Sequence, residues 1–151
     1  MNDDATYDII MLRMVIDTDV MVAALESSSG ASRQILLCAL HGKMHLLLST
    51  ALMLEYEAVV TRSETLRRSG LSNTDVIAVL DELARLCTPV AFDYRWRPVA
   101  ADRDDDFVIE TAINGAADVI VSFNARDMEH GAARFGIAVE RPALVLRRMG
   151  R

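Results

Sequence analysis

Residues 14–25 read MVIDTDVMVAAL, an apolar run that carries one acid, Asp17, toward the middle of the core. A carboxylate is seldom buried unless a cation or hydrogen bonds compensate it, because stripping water from the charge is costly. Residues 14–16 therefore read as a buried strand, and Asp17 at its carboxyl end marks a candidate site. Asp19 is placed to cap a helix over residues 20–25, which puts it beside the site, in a supporting position.

Working outward, residues 31–40 carry Ile35, Leu36, Ala39 and Leu40 at helical spacing, with His41 and Gly42 as a stop. Residues 45–48 form a second apolar strand. Ser49 can cap a helix to Val60, in which Leu52, Glu55, Tyr56 and Val59 share one stripe. A polar, basic segment, TRSETLRRSG at 61–70, separates this helix from another that Ser72 and Asp75 open and that runs to about Cys87.

Residues 89–92 read as a third strand. Asp102, Asp104, Asp105 and Asp106 precede a helix over 107–114, and Asp105 heads its inward stripe of Val108, Ile109 and Ala112. Gly115 ends that helix, 119–122 make a fourth strand, and Ser122, Asn124 and Asp127 lie at its carboxyl end. A strand near 137–139 and a helix from Pro142 complete the pattern. Such alternation predicts a three-layer α/β/α sandwich with a central parallel sheet, and a ligand site beyond the carboxyl ends of its strands.

With 151 residues, 52% of them hydrophobic, the chain suffices for one core. The reading is a poorly ordered leader at 1–13 and a single domain over 14–151. No apolar run approaches the roughly 18 residues of a membrane span, and the amino terminus is acidic where a secretion signal is basic, so a cytoplasmic protein without a membrane partner is expected. Cys38 and Cys87 lack metal-ligand spacing and read as buried free thiols. A net charge of −6 excludes broad electrostatic capture of nucleic acid while allowing a local basic surface.

Asp17, Glu55, Asp105 and the Asn124/Asp127 pair come from four segments that this topology can bring together. Two carboxylates about 5 Å apart repel by roughly 3 kcal/mol at an effective dielectric near 20, so three need protons or a cation. Oxygen donors without cysteine or a neighbouring histidine suit Mg²⁺ or Mn²⁺, and such a site acts on phosphate esters.

The stretches VIDTDVMVAAL, the Ser49 to Glu55 spacing, DRDDDFVIETA and DVIVSFNARDM resemble, in order and spacing, the four motifs of PIN-domain nucleases. The likeness covers about residues 14–146 and is closest to the VapC-like toxins of toxin–antitoxin modules. It implies that Asp17, Glu55 and Asp105 are the catalytic, metal-binding acids, with Asn124 and Asp127 as further donors. Asp19, Ser122, Asp102 and Asp104 are then supporting neighbours. Asn124 departs from the pattern, since a carboxylate is expected there, and one-metal and two-metal arrangements both stay open.

The resemblance further implies an endoribonuclease in which a metal-activated water attacks RNA phosphorus, leaving 5′-phosphate and 3′-hydroxyl ends. It also implies a small antitoxin protein and a homodimer. Arg62, Arg67, Arg68, Arg103 and Arg126 are candidates for holding RNA phosphates. Two alternatives stand beside it. A non-catalytic PIN-like module for RNA or protein interaction would follow from a degraded acid set. A haloacid-dehalogenase-type phosphatase would use Asp17 as nucleophile and Asp19 as acid, but wants a later lysine, and the only lysine is Lys43.

Overall fold

In the computed structural model of the chain, residues 11–92 and 106–151 are described, apart from the side chain of Asp106. Five strands, β1 (Arg13–Ile16), β2 (His45–Leu48), β3 (Thr88–Pro89), β4 (Val119–Val121) and β5 (Ala138–Glu140), form one sheet in the order β3-β2-β1-β4-β5. Every pairing is parallel, with Met14 opposite Leu46 and Val119, and Ile16 opposite Val121. The eight helices among the described residues are α1 (Thr18–Glu26), α2 (Ala31–Leu40), α3 (Thr50–Val60), α4 (Ser63–Ser69), α5 (Asn73–Leu86), α6 (Asp106–Asn114), α7 (Ala125–Ala133) and α8 (Pro142–Arg148).

A parallel sheet covered by helices must bury both faces of its central strands, and its sequences run apolar without alternation. Met14, Val15 and Ile16, Leu46 to Leu48 and Val119 to Val121 are all buried accordingly. The architecture is the expected α/β sandwich. The chain moves outward from β1 through β2 to β3, then returns to the other side of β1 as β4. Crossovers on either side of β1 thus run in opposite directions, leaving a crevice above the carboxyl ends of β1 and β4, where open α/β sheets bind ligands.

Local signals set most boundaries. Ser49 caps α3 by accepting from Leu52 N–H at 3.2 Å. Ser72 and Asp75 form a reciprocal capping box on α5, satisfying two otherwise orphaned N–H groups. Gly115, after α6, is needed for close approach, because a Cβ there would stand 2.9 Å from Leu47 Cδ1 and from Val90 Cγ2.

Several expectations change. The first strand begins at Arg13, whose N–H donates to Asp118 Oδ2 at 2.7 Å and whose guanidinium reaches the Gly115 carbonyl at 2.6 Å. The basic 61–70 segment is mostly helical, as α4, and Gly70 closes it in the left-handed region at φ 73°. The third strand is shorter and earlier than expected: Pro89 has no N–H to donate, and one further bond, Val90 N–H to Leu48 O, ends the pairing. Cys38 is buried as expected, but Cys87 is half-buried at the end of α5, where the helix turns into the edge strand.

Candidate active site

Asp17 sits at the carboxyl end of β1, the central strand. Its backbone is still extended (φ −67°, ψ 153°), and its N–H continues the ladder by donating to Val121 O at 2.9 Å. Its carbonyl already accepts from Val20 and Met21 N–H, each at 3.1 Å, so the residue is both the end of the strand and the cap of α1. Oδ1 accepts from Thr18 N–H at 2.7 Å, and Oδ2 accepts from the Ser122 hydroxyl at 2.6 Å. The residue is 5% exposed.

This geometry corrects the expectation that Asp19 caps the helix. Because the ladder to β4 ends at residue 17, the helix starts at Thr18 and Asp19 falls in its first turn. Its Oδ2 instead accepts from Phe123 N–H at 3.2 Å, across the crevice on the segment after β4. Its Oδ1 is buried and has no hydrogen-bond partner.

Two acids two residues apart are thereby held at one crevice with little water to screen them. Burial pushes the Asp17 carboxyl up, against the lowering effect of its bonds from Ser122 and Thr18. Burial and then the Asp17 charge push Asp19 to about 7. Two carboxylates that cannot both ionise readily share a proton or bind a cation.

The surrounding side chains fix this pair. Ser122 is fully buried, and its Oγ also accepts from Asn124 N–H at 2.8 Å, so one hydroxyl ties Asp17 to the turn after β4. Tyr56 on α3, fully buried, donates its hydroxyl to the Ile16 carbonyl and binds α3 to the last residue of β1. Ser49 Oγ and Thr111 Oγ1 meet at 2.7 Å, joining the start of α3 to the middle of α6. Thr111 Oγ1 donates to Phe107 O at 2.7 Å, which leaves Ser49 as the donor between the two hydroxyls.

Of the residues expected to bind metal, the structure brings Asp17 together with its supporting neighbours Asp19 and Ser122. Glu55 is half-buried on α3, the helix that Tyr56 anchors. Among the described residues, no three acid, histidine or cysteine side chains cluster closely enough to hold a metal ion, so Glu55 does not complete a trio with Asp17 and Asp19. Asp105, Asp102, Asp104 and Arg103 lie outside the described residues. Asn124 is half-buried at the cap position of α7, and Asp127 is exposed in that helix's first turn. Arg62, Arg67, Arg68 and Arg126 are exposed, and Arg68 pairs with Glu64 at 2.5 Å.

Two contributors lie outside the sequence expectation: Tyr56 reads as an ordinary member of its helical stripe and Thr111 carries no local signal, and only their partners across the fold reveal their tasks. Glu110 on α6 is a further fully buried acid.

The order and placement of these elements agree with an independent comparison: a family model of the PIN domain matches residues 13–126. The chain belongs to the PIN domain family. The match spans β1 through the start of α7 and so contains Asp17, Asp19, Glu55, Ser122 and Asn124. PIN domains are in general nucleases. Comparison with curated proteins gives no match. A separate cavity of about 570 Å³, lined by Met11, Leu12, Gly42, Lys43, Arg148, Met149 and Arg151, lies near the amino ends of β1 and β2, away from the acids. Among the described residues, no helix is long and apolar enough to cross a membrane.

Proposed function

We propose that this PIN domain is a metal-dependent endoribonuclease in which Asp17 and Asp19 form the core of a Mg²⁺ or Mn²⁺ site, with Asp105 as the further acid that the motif likeness implies and Glu55 standing outside the group. The observation that carries the reading is the pair of crowded carboxylates at the β1/β4 crevice, with Asp19 Oδ1 buried and without a hydrogen-bond partner. The donors are all oxygens, the set that hard divalent cations take. When bound, such a cation activates water and stabilises charge on a phosphate.

The chain's own residues supply the preorganisation. Thr18 N–H and the Ser122 hydroxyl orient the Asp17 carboxylate, and Phe123 N–H orients Asp19. Each oxygen that accepts one of these bonds keeps a second lone pair for a ligand. Asn124, at the start of α7, is the additional oxygen donor that the motif likeness implies, and its neutral amide leaves more of the charge balance to Asp17 and Asp19. Arg62, Arg67 and Arg126, all exposed, are available to meet RNA phosphates.

The likeness of the four motifs to VapC-like toxins supports a place in a toxin–antitoxin module, with a small antitoxin protein covering the acidic crevice and a homodimeric assembly in the cytoplasm. The same likeness supports 5′-phosphate and 3′-hydroxyl products. The test is cleavage of single-stranded RNA by purified protein with Mn²⁺ or Mg²⁺. Asp17→Asn and Asp105→Asn should each abolish cleavage while far-UV circular dichroism stays unchanged, and excess chelator should abolish it in the parent. The competing reading, a non-catalytic module, draws on Asn124 standing where a carboxylate is expected, and requires that the parent bind RNA without cutting it.

A further inference from the structure

Phe123 is an aromatic residue at the rim of the acidic crevice that the chemistry above does not use. Large apolar side chains are exposed at few places among the described residues, and Phe123, at 41% exposure, is the aromatic one, beside Leu54, Leu86 and Leu144. Its neighbour on one side, Ser122, is fully buried and bonded to Asp17, and its own N–H is held by Asp19.

The turn that carries the ring is tied down at three points. Ser122 N–H donates to Glu140 O at 3.0 Å, Phe123 N–H to Asp19 Oδ2 at 3.2 Å, and Asn124 N–H to Ser122 Oγ at 2.8 Å. Three successive backbone donors are thus fixed by three different partners, and the ring between them stays 41% exposed. An apolar ring held in water next to a site for phosphate chemistry matches the way proteins grip single-stranded nucleic acid, by stacking bases on aromatic side chains. A paired base inside a duplex offers no free face at such a position, whereas an unpaired one does.

We infer that Phe123 is a stacking platform for an unpaired nucleobase next to the phosphate held at the Asp17/Asp19 crevice. The inference rests on the ribonuclease reading and adds to it a base-binding residue.

The test compares the parent with Phe123→Leu, which keeps an apolar side chain but removes the ring, and Phe123→Trp, which enlarges it. Cleavage is measured on a short single-stranded RNA, on the same sequence annealed to its complement, and on a set of oligonucleotides with one abasic residue at each position in turn. Phe123→Leu should raise KM on the single strand roughly tenfold with kcat nearly unchanged, and Phe123→Trp should retain or lower it. One abasic position should weaken the parent and have no further effect in Phe123→Leu, the signature of a lost base–ring contact. The duplex should be a poor substrate for the parent.

Unchanged KM in Phe123→Leu, or the same abasic profile in parent and variant, overturns the inference while leaving the ribonuclease reading standing. A change in oligomeric state with unaltered RNA kinetics assigns the ring to a protein interface and equally overturns it. A parent that neither binds nor cleaves any of these RNAs refutes the underlying reading itself.

Discussion

Replacing Asp19 by Asn should stabilise the metal-free protein at alkaline pH and by much less at acid pH. The carboxyl is raised from 3.8 to about 7 by burial and by the Asp17 charge. A group whose folded-state pKa lies above its unfolded value stabilises the fold fully below the unfolded pKa and loses that contribution as pH rises through the folded one. For Asp19 the loss therefore runs from about 4 to about 7 and is complete above it. About three pKa units correspond to about 4 kcal/mol for a fully shielded group, and the partial solvent access of Asp19 reduces this to about 2 kcal/mol. The Asn side chain keeps an oxygen for Phe123 N–H and brings an N–H₂ that can donate to Asp17. Thermal unfolding in excess chelator, at pH 5 and pH 8.5, reads the difference. For a chain of this length about 2 kcal/mol is roughly 4–8 °C, so Asp19→Asn should melt that much higher than the parent at pH 8.5 and higher by about a third of that at pH 5, where the loss has only begun. A variant equally destabilised at both pH values would refute the crowded-carboxylate argument.

Tyr56→Phe removes the buried hydroxyl that donates to Ile16 O and should cost about 1–2 kcal/mol in denaturant unfolding, with weaker Mn²⁺ binding because the end of β1 is less firmly held. Ser122→Ala strips a donor from Asp17 and the acceptor of Asn124 N–H, so it should cost about 1–2 kcal/mol and push the Asp17 carboxyl still higher. Ser49→Ala loses both the α3 cap and the bond to Thr111; an unfolding cost of about 1–2 kcal/mol is expected, and no change in chemical denaturation would contradict that double role.

Much of this was legible in the sequence because the signals are local. Three consecutive buried aliphatics mark β1, and Ser49 and Ser72 stand where helix caps must. Gly115 closes α6 where the chain passes under Leu47 and Val90. Asp17 was legible because an acid behind buried aliphatics has few explanations. The division of labour between Asp17 and Asp19 was not. It depends on where the ladder between β1 and β4 ends, since the bond from Asp17 N–H to Val121 O keeps residue 17 extended and moves the helix start to Thr18. Nor could local pattern reveal Tyr56 reaching Ile16, or Ser49 reaching Thr111, because these partners are 40 and 62 residues apart. Helix α4 was obscured by its polar composition, since only Thr65 along it is buried.

A cation bound at Asp17, at the carboxyl end of β1, underlies the whole proposed chemistry. Isothermal titration of the metal-free protein with Mn²⁺ at pH 8 measures that binding, with Asp17→Asn run in parallel after its fold is verified by circular dichroism. A saturable isotherm in the parent that disappears in Asp17→Asn is the predicted result. Identical isotherms in the two proteins would contradict it.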